Sequence, residues 1–173
     1  APVVTGTVQA TLPEWTNPKP DWRAEVRPTL TLNGRVTSGP MSFRGIEVES
    51  ARSELAYSDL TWRLPNLVAT RPEGEVRMAL RSHTGTQDYQ IDFRSSIDLH
   101  AVTPALEEEK QKKGFDYFSF DKPPVIEGRV WGRWRERERT AFRATVTATN
   151  FTFRAQQVDR FTAGISFGDG ILG

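Results

Sequence analysis

The residues that could do chemistry are few and scattered. His83 and His100 are the two histidines, and neither is followed by a metal-ligand partner two to four positions on. Asp88, Asp92 and Asp98 alternate with apolar residues, which places them on the solvated side of a strand and not in an acid–base pair. With no cysteine, the chain has no thiol nucleophile, thiolate metal site or disulfide. It also has no Gly-rich phosphate loop, nucleophile elbow or zinc-binding helix motif. The expectation is a non-catalytic protein, with no metal and no cofactor.

Two clusters could bind rather than react. Arg129, Arg133, Arg135, Arg137 and Arg139 interleave with Trp131, Trp134, Glu136 and Glu138. This run reads first as a solvated hairpin whose arginines pair with glutamates, and otherwise as a surface for RNA or a phospholipid headgroup. The formal net charge of +1 argues against nucleic acid as a partner. Trp15, Trp22, Trp62, Trp131 and Trp134 could form a sugar platform, but their scatter favours packing.

The elements that would position these residues are repeated. Gly6 to Leu12, Gly74 to Leu80 and Gly128 to Trp134 share a template: Gly, then Val two residues on, then a large apolar residue four further. Each alternates apolar and polar positions, the period of a strand. Each is followed, after a polar stretch, by a second alternating segment: Leu30 to Val36, Tyr89 to Ile97, Phe142 to Val146. The template therefore predicts three hairpins. Their turns are expected at 13–28, 82–86 and 135–139. A longer similarity joins the two ends of the chain at one constant offset. It carries Leu32, Val36, Phe43, Leu55 and Tyr57 onto Phe142, Val146, Phe153, Ile165 and Phe167. This reads as duplication with a diverged middle copy.

The middle copy holds the one helix signal. Thr103 is a plausible N-cap, Pro104 suits the first helical position and Gly114 closes the run, so one short helix is expected near 103–113. An aromatic strand or cover should follow, through Phe115, Tyr117, Phe118 and Phe120. The whole is read as a single β-repeat domain over 1–173. It is mainly β: a curved antiparallel sheet of repeated hairpins with one apolar face. That face can be a packed sandwich core or an open groove. No stretch approaches the roughly 20 apolar residues of a membrane span. No signal peptide opens the chain, and its last residues are apolar, so it is expected to be a piece of a longer protein.

The tail from Gly128 to Trp134, through Asn150 to Arg154 and on to Phe167 to Leu172, resembles the β-units of AsmA-like and TamB-like bacterial envelope proteins. Met41 to Val48 resembles them too. The resemblance implies a periplasmic β-groove, tethered to the inner membrane in the full-length protein. It implies transport of phospholipid or another apolar ligand in outer-membrane biogenesis, with envelope proteins as possible partners and no catalytic residues. The residues expected to line the groove are Val8, Leu12, Leu32, Val36, Val76, Leu80, Ile91, Phe93, Ile97, Val130, Trp134, Phe142 and Val146. The alternative is a β-sandwich module that recognises a glycan or a protein through exposed aromatics.

Overall fold

The structure is a computed structural model. It describes residues 1–14, 16, 18–43, 45–105, 117–168 and 171–172. Alternation of apolar and polar residues produces thirteen strands among the described residues. They are β1 (Val3–Gln9), β2 (Thr31–Ser38), β3 (Met41–Phe43), β4 (Ile46–Val48), β5 (Ser50–Ser58), β6 (Thr61–Arg71) and β7 (Gly74–His83). Then come β8 (Asp88–Ser95), β9 (Phe118–Phe120), β10 (Val125–Arg133), β11 (Glu136–Phe153), β12 (Gln156–Gly168) and β13 (Ile171–Leu172). One large antiparallel sheet runs in the order β1-β2-β5-β6-β7-β8-β10-β11-β12-β13, with β9 added on β11. The sheet does not close, and the other described sheet is the small β3–β4 ribbon. The fold is thus the expected antiparallel sheet of repeated hairpins, without a second large sheet packed across it.

The surface area agrees with an open sheet. The chain exposes 12175 Å², whereas a compact monomer of its mass would expose about 8,500 Å². Contacts run mainly between ladder neighbours; β4 also touches β6 and the 3-10 turn His100–Ala105.

The duplication is reproduced in the ladder itself. Gly6↔Gly34 and Val8↔Leu32 in β1–β2 correspond to Gly128↔Ala144 and Val130↔Phe142 in β10–β11. Leu32↔Tyr57 and Val36↔Ser53 correspond to Phe142↔Phe167 and Val146↔Ala163. Phe43↔Ile46 in the ribbon corresponds to Phe153↔Gln156, and Tyr57↔Trp62 to Phe167↔Leu172. The middle hairpin keeps the face but not the register. Its Val76 pairs with Ser95, and Phe93 pairs with Met78. A slip of two residues leaves every side chain on its own side of the sheet.

The template glycine has a steric reason. A Cβ at Gly6 would strike the Asn33 carbonyl, and one at Gly74 the Ser96 carbonyl. At Gly128 a Cβ would lie 2.5 Å from the Arg143 carbonyl oxygen and 2.9 Å from the Ala144 Cβ. In all three copies the partner backbone approaches too closely for any side chain.

Several expectations are corrected. The turn placed at 135–139 is tighter, because β11 already begins at Glu136. Arg135 takes a positive φ of 72° to make it. Where the helix near 103–113 is expected to start, the described residues form the 3-10 turn His100–Ala105, and 106–113 lie outside the described residues. The long loop before β2 contains a turn of π-helix, Trp22–Val26, capped by Asp21, whose carboxylate accepts from the Arg23 and Ala24 amides. The aromatic cover forms as β9, which pairs antiparallel with Phe151–Phe153.

β5 and β6 extend the sheet beyond the three expected hairpins. Pro65 and Asn66 sit at a bulge, where the register shifts between Leu64 and Leu67. The bulge leaves the Glu54 amide without a ladder partner, and Asn66 Oδ1 accepts from it at 2.8 Å. Across the next turn, the Leu60 carbonyl accepts from the Thr84 amide at 2.7 Å, tying the β5–β6 turn to the β7–β8 turn.

Gly128→Ala therefore forces β10 and β11 apart and should cost about 1–3 kcal/mol. The thermal midpoint measured by circular dichroism should fall by several degrees. An unchanged midpoint would show that this close approach is not a constraint.

Candidate functional site: an uncovered apolar face

Ladder partners share a face, so the register sorts every strand residue. One row runs Leu64, Leu80, Ile91, Val130, Phe142, Phe167 across six consecutive strands. The next runs Leu67, Met78, Phe93, Gly128, Ala144, Ile165. On the β1 side, Val8, Leu32, Tyr57 and Trp62 continue the same face. With strands about 4.8 Å apart, the ten-strand ladder gives an apolar surface about 40 Å across.

This face is shielded by its own side chains only in part. Tyr57 is 3% exposed, packed 4.7 Å from the Trp62 ring. Ala144, Ala148 and Phe151 are buried as well. Most of the remainder is half-buried, and Val4 and Val8 on the edge strand are exposed. Phe118 and Phe120 of β9 pack against the Phe151 ring and cover the β11–β12 end. Trp134 caps the opposite end, lying 4.2 Å from the Tyr89 ring with its Nε1–H donating to Ser82 Oγ at 2.8 Å.

Ten of the thirteen expected lining residues share this face by register: Val8, Leu32, Val36, Val76, Leu80, Ile91, Phe93, Val130, Phe142 and Val146. Three do not sit in the ladder. Leu12 lies past the end of β1 and is 57% exposed. Ile97 lies past the end of β8 and is 7% exposed, and Trp134 belongs to the β10–β11 turn. Alternation alone could not show where each strand stops. Tyr57, Leu64, Leu67 and Met78 were not anticipated. The constant offset already carried Tyr57 onto Phe167, a signal that could have found it.

The opposite face is polar and laddered with charge. Arg94 pairs with Glu127, Arg129 with Asp92, and Arg133 with Asp88 at 3.2 Å, each directly across β8–β10. Arg133 and Arg139 also reach Glu136, at 3.4 and 3.3 Å. These pairs are a third or more exposed, so each contributes at most about 1 kcal/mol. Desolvation raises the pKa of Asp92, but hydrogen bonds from Arg129 and Gln90 and the Arg129 charge outweigh it, leaving the carboxyl below its ordinary value of 3.8. Asp88 is lowered too, by a hydrogen bond from Thr86, then by Arg133 and Arg139.

The remaining candidates are local. His83 Nδ1 accepts from the Thr86 amide at 2.9 Å and shapes the β7–β8 turn. His100 Nδ1 lies 3.1 Å from Asp98 Oδ1, two residues away and on the surface. Trp15 lies outside the described residues. Trp22 precedes β2, and Trp131 is in β10, five strands along. No group of three potential metal ligands converges among the described residues. No described helix is long and apolar enough to cross a membrane. No family model, curated protein or solved structure matches the chain.

A carboxyl with a depressed folded pKa stabilises the fold above its unfolded value, and that contribution is lost as pH falls through the folded value. Asp92→Asn should therefore flatten the decline in thermal midpoint on acidification below pH 3.8. A titration of midpoint against pH that is identical for both proteins would remove Asp92 from the ladder's energetics.

Proposed function

We propose that the chain is a non-catalytic segment of a bacterial envelope protein of the AsmA-like or TamB-like kind, carrying phospholipid acyl chains along its apolar face. One observation carries this reading: an apolar surface that runs across the ladder, with no second large sheet lying over it among the described residues. Exposed apolar patches on monomers usually stay within a few hundred Å², and larger ones mark interaction sites. An acyl chain on this face gains about 0.8 kcal/mol per buried methylene. Such binding needs no polar motif. In this reading the segment works in the periplasm, in outer-membrane biogenesis, in a full-length protein held to the inner membrane.

The test is binding of a fluorescent phosphatidylethanolamine to the delipidated chain. Saturable binding is expected, with loss of at least about tenfold in affinity for Leu32→Asp or Phe142→Asp. Circular dichroism establishes that each variant keeps its sheet. Binding that is absent, or that survives both substitutions in folded protein, contradicts the proposal.

A further inference from the structure

We propose that the polar face carries a second binding site, for an acidic oligosaccharide, centred on Trp131. Trp62 and Trp134 each pack against a tyrosine ring. Trp131 stacks on none of the described rings and is 39% exposed. Its ladder partners are Gln90 on one side and Ala141 on the other. The alanine is too short to cover the indole, so one flank of the ring stays open.

Two open depressions, of about 660 and 630 Å³, meet at this residue and share both Trp131 and Gln90. The surrounding chemistry suits a sugar. An indole offers an apolar platform for the C–H face of a pyranose. Asp88 and Asp92, held as carboxylates by Arg133 and Arg129, keep acceptor capacity for hydroxyls. Gln90 adds an amide, and its Nε2–H already orients Asp92 at 2.8 Å.

The charge pattern makes the sugar an acidic one. Arg81 lines one depression and Arg143 the other, and both are exposed. Neither has a carboxylate partner among the described residues. A guanidinium fork of this kind takes a carboxylate, sulfate or phosphate in two parallel hydrogen bonds. Arg81 is on β7 and Arg143 on β11, three strand spacings across and two residues along the ladder, about 16 Å apart, with the indole between them. That spacing fits a chain bearing successive anionic groups better than a single headgroup. A polynucleotide, which needs a platform of several rings for successive bases, is disfavoured by the lone unstacked ring.

Isothermal titration with hexagalacturonate tests this, with neutral maltohexaose, inorganic phosphate and phosphatidylglycerol vesicles as comparisons. Binding of hexagalacturonate alone is expected, weakened at least about tenfold by Trp131→Ala, the loss a central tryptophan anchor carries. Arg81→Gln with Arg143→Gln should weaken it likewise, and Leu32→Asp on the opposite face should not. The arginine pair is solvent-exposed, so that variant decides the matter if Trp131→Ala fails to fold. No binding of hexagalacturonate overturns the proposal, as does binding unchanged in folded Trp131→Ala or in the arginine variant. Binding of phosphate or vesicles as tight as that of the sugar, and indifferent to Trp131, overturns it too.

Discussion

Everything in this molecule hangs on one hydrogen-bonded ladder that never folds back on itself. Each strand is held mainly by its two neighbours, and register is therefore the main determinant of which side chains meet. Because strand side chains alternate, a slip of one residue would carry a strand's apolar set to the other face. The template glycines enforce the register. Where the backbones of β1 and β2, of β10 and β11, or of β7 and the segment after β8 approach, no side chain fits, so a slip by one residue would press one into a carbonyl. The ladder then delivers two faces of opposite character, one apolar and one cross-linked by arginine and carboxylate.

The uncovered apolar face is an unusual way to stabilise a chain of this length. A compact domain buries its apolar side chains in a shared core, whereas here most are half-exposed and only a few, such as Tyr57 and Phe151, are buried. The ladder bonds and lateral packing along rows such as Leu80, Ile91, Val130 and Phe142 must carry the stability. The two ends are sealed differently: aromatic stacking of β9 on β11 at one, Trp134 on Tyr89 at the other. What remains between them is a surface that water wets at a free-energy cost. An apolar ligand or further protein would remove that cost.

Much of this was legible in the sequence, for a physical reason. The offset linking Leu32 to Phe142 and Tyr57 to Phe167 persists because the ladder pairs at those positions are the same in both copies. Alternation assigned the faces of β1, β2, β7, β8, β10 and β11. What it missed involves turns and breaks. Pro65 argues against an interior strand, yet in β6 it sits at a bulge whose freed amide is bonded by Asn66. Glu136 to Arg139 look like a charged turn, but arginine–glutamate pairing lets them continue as strand. The repeat template already set Trp134 apart, at its large apolar position, from Trp131 on the alternate side of the strand. Only the register shows that one is capped against Tyr89 and the other stands free.

The most direct test of the account places a photoreactive benzoyl-phenylalanine at Val130 or at its neighbour Arg129, consecutive residues on opposite faces. Each protein is irradiated with phosphatidylethanolamine vesicles and weighed intact by mass spectrometry. The account predicts a phospholipid adduct from position 130 and none from position 129. Equal labelling at both positions, or labelling at neither, would contradict a lipid path along the apolar face.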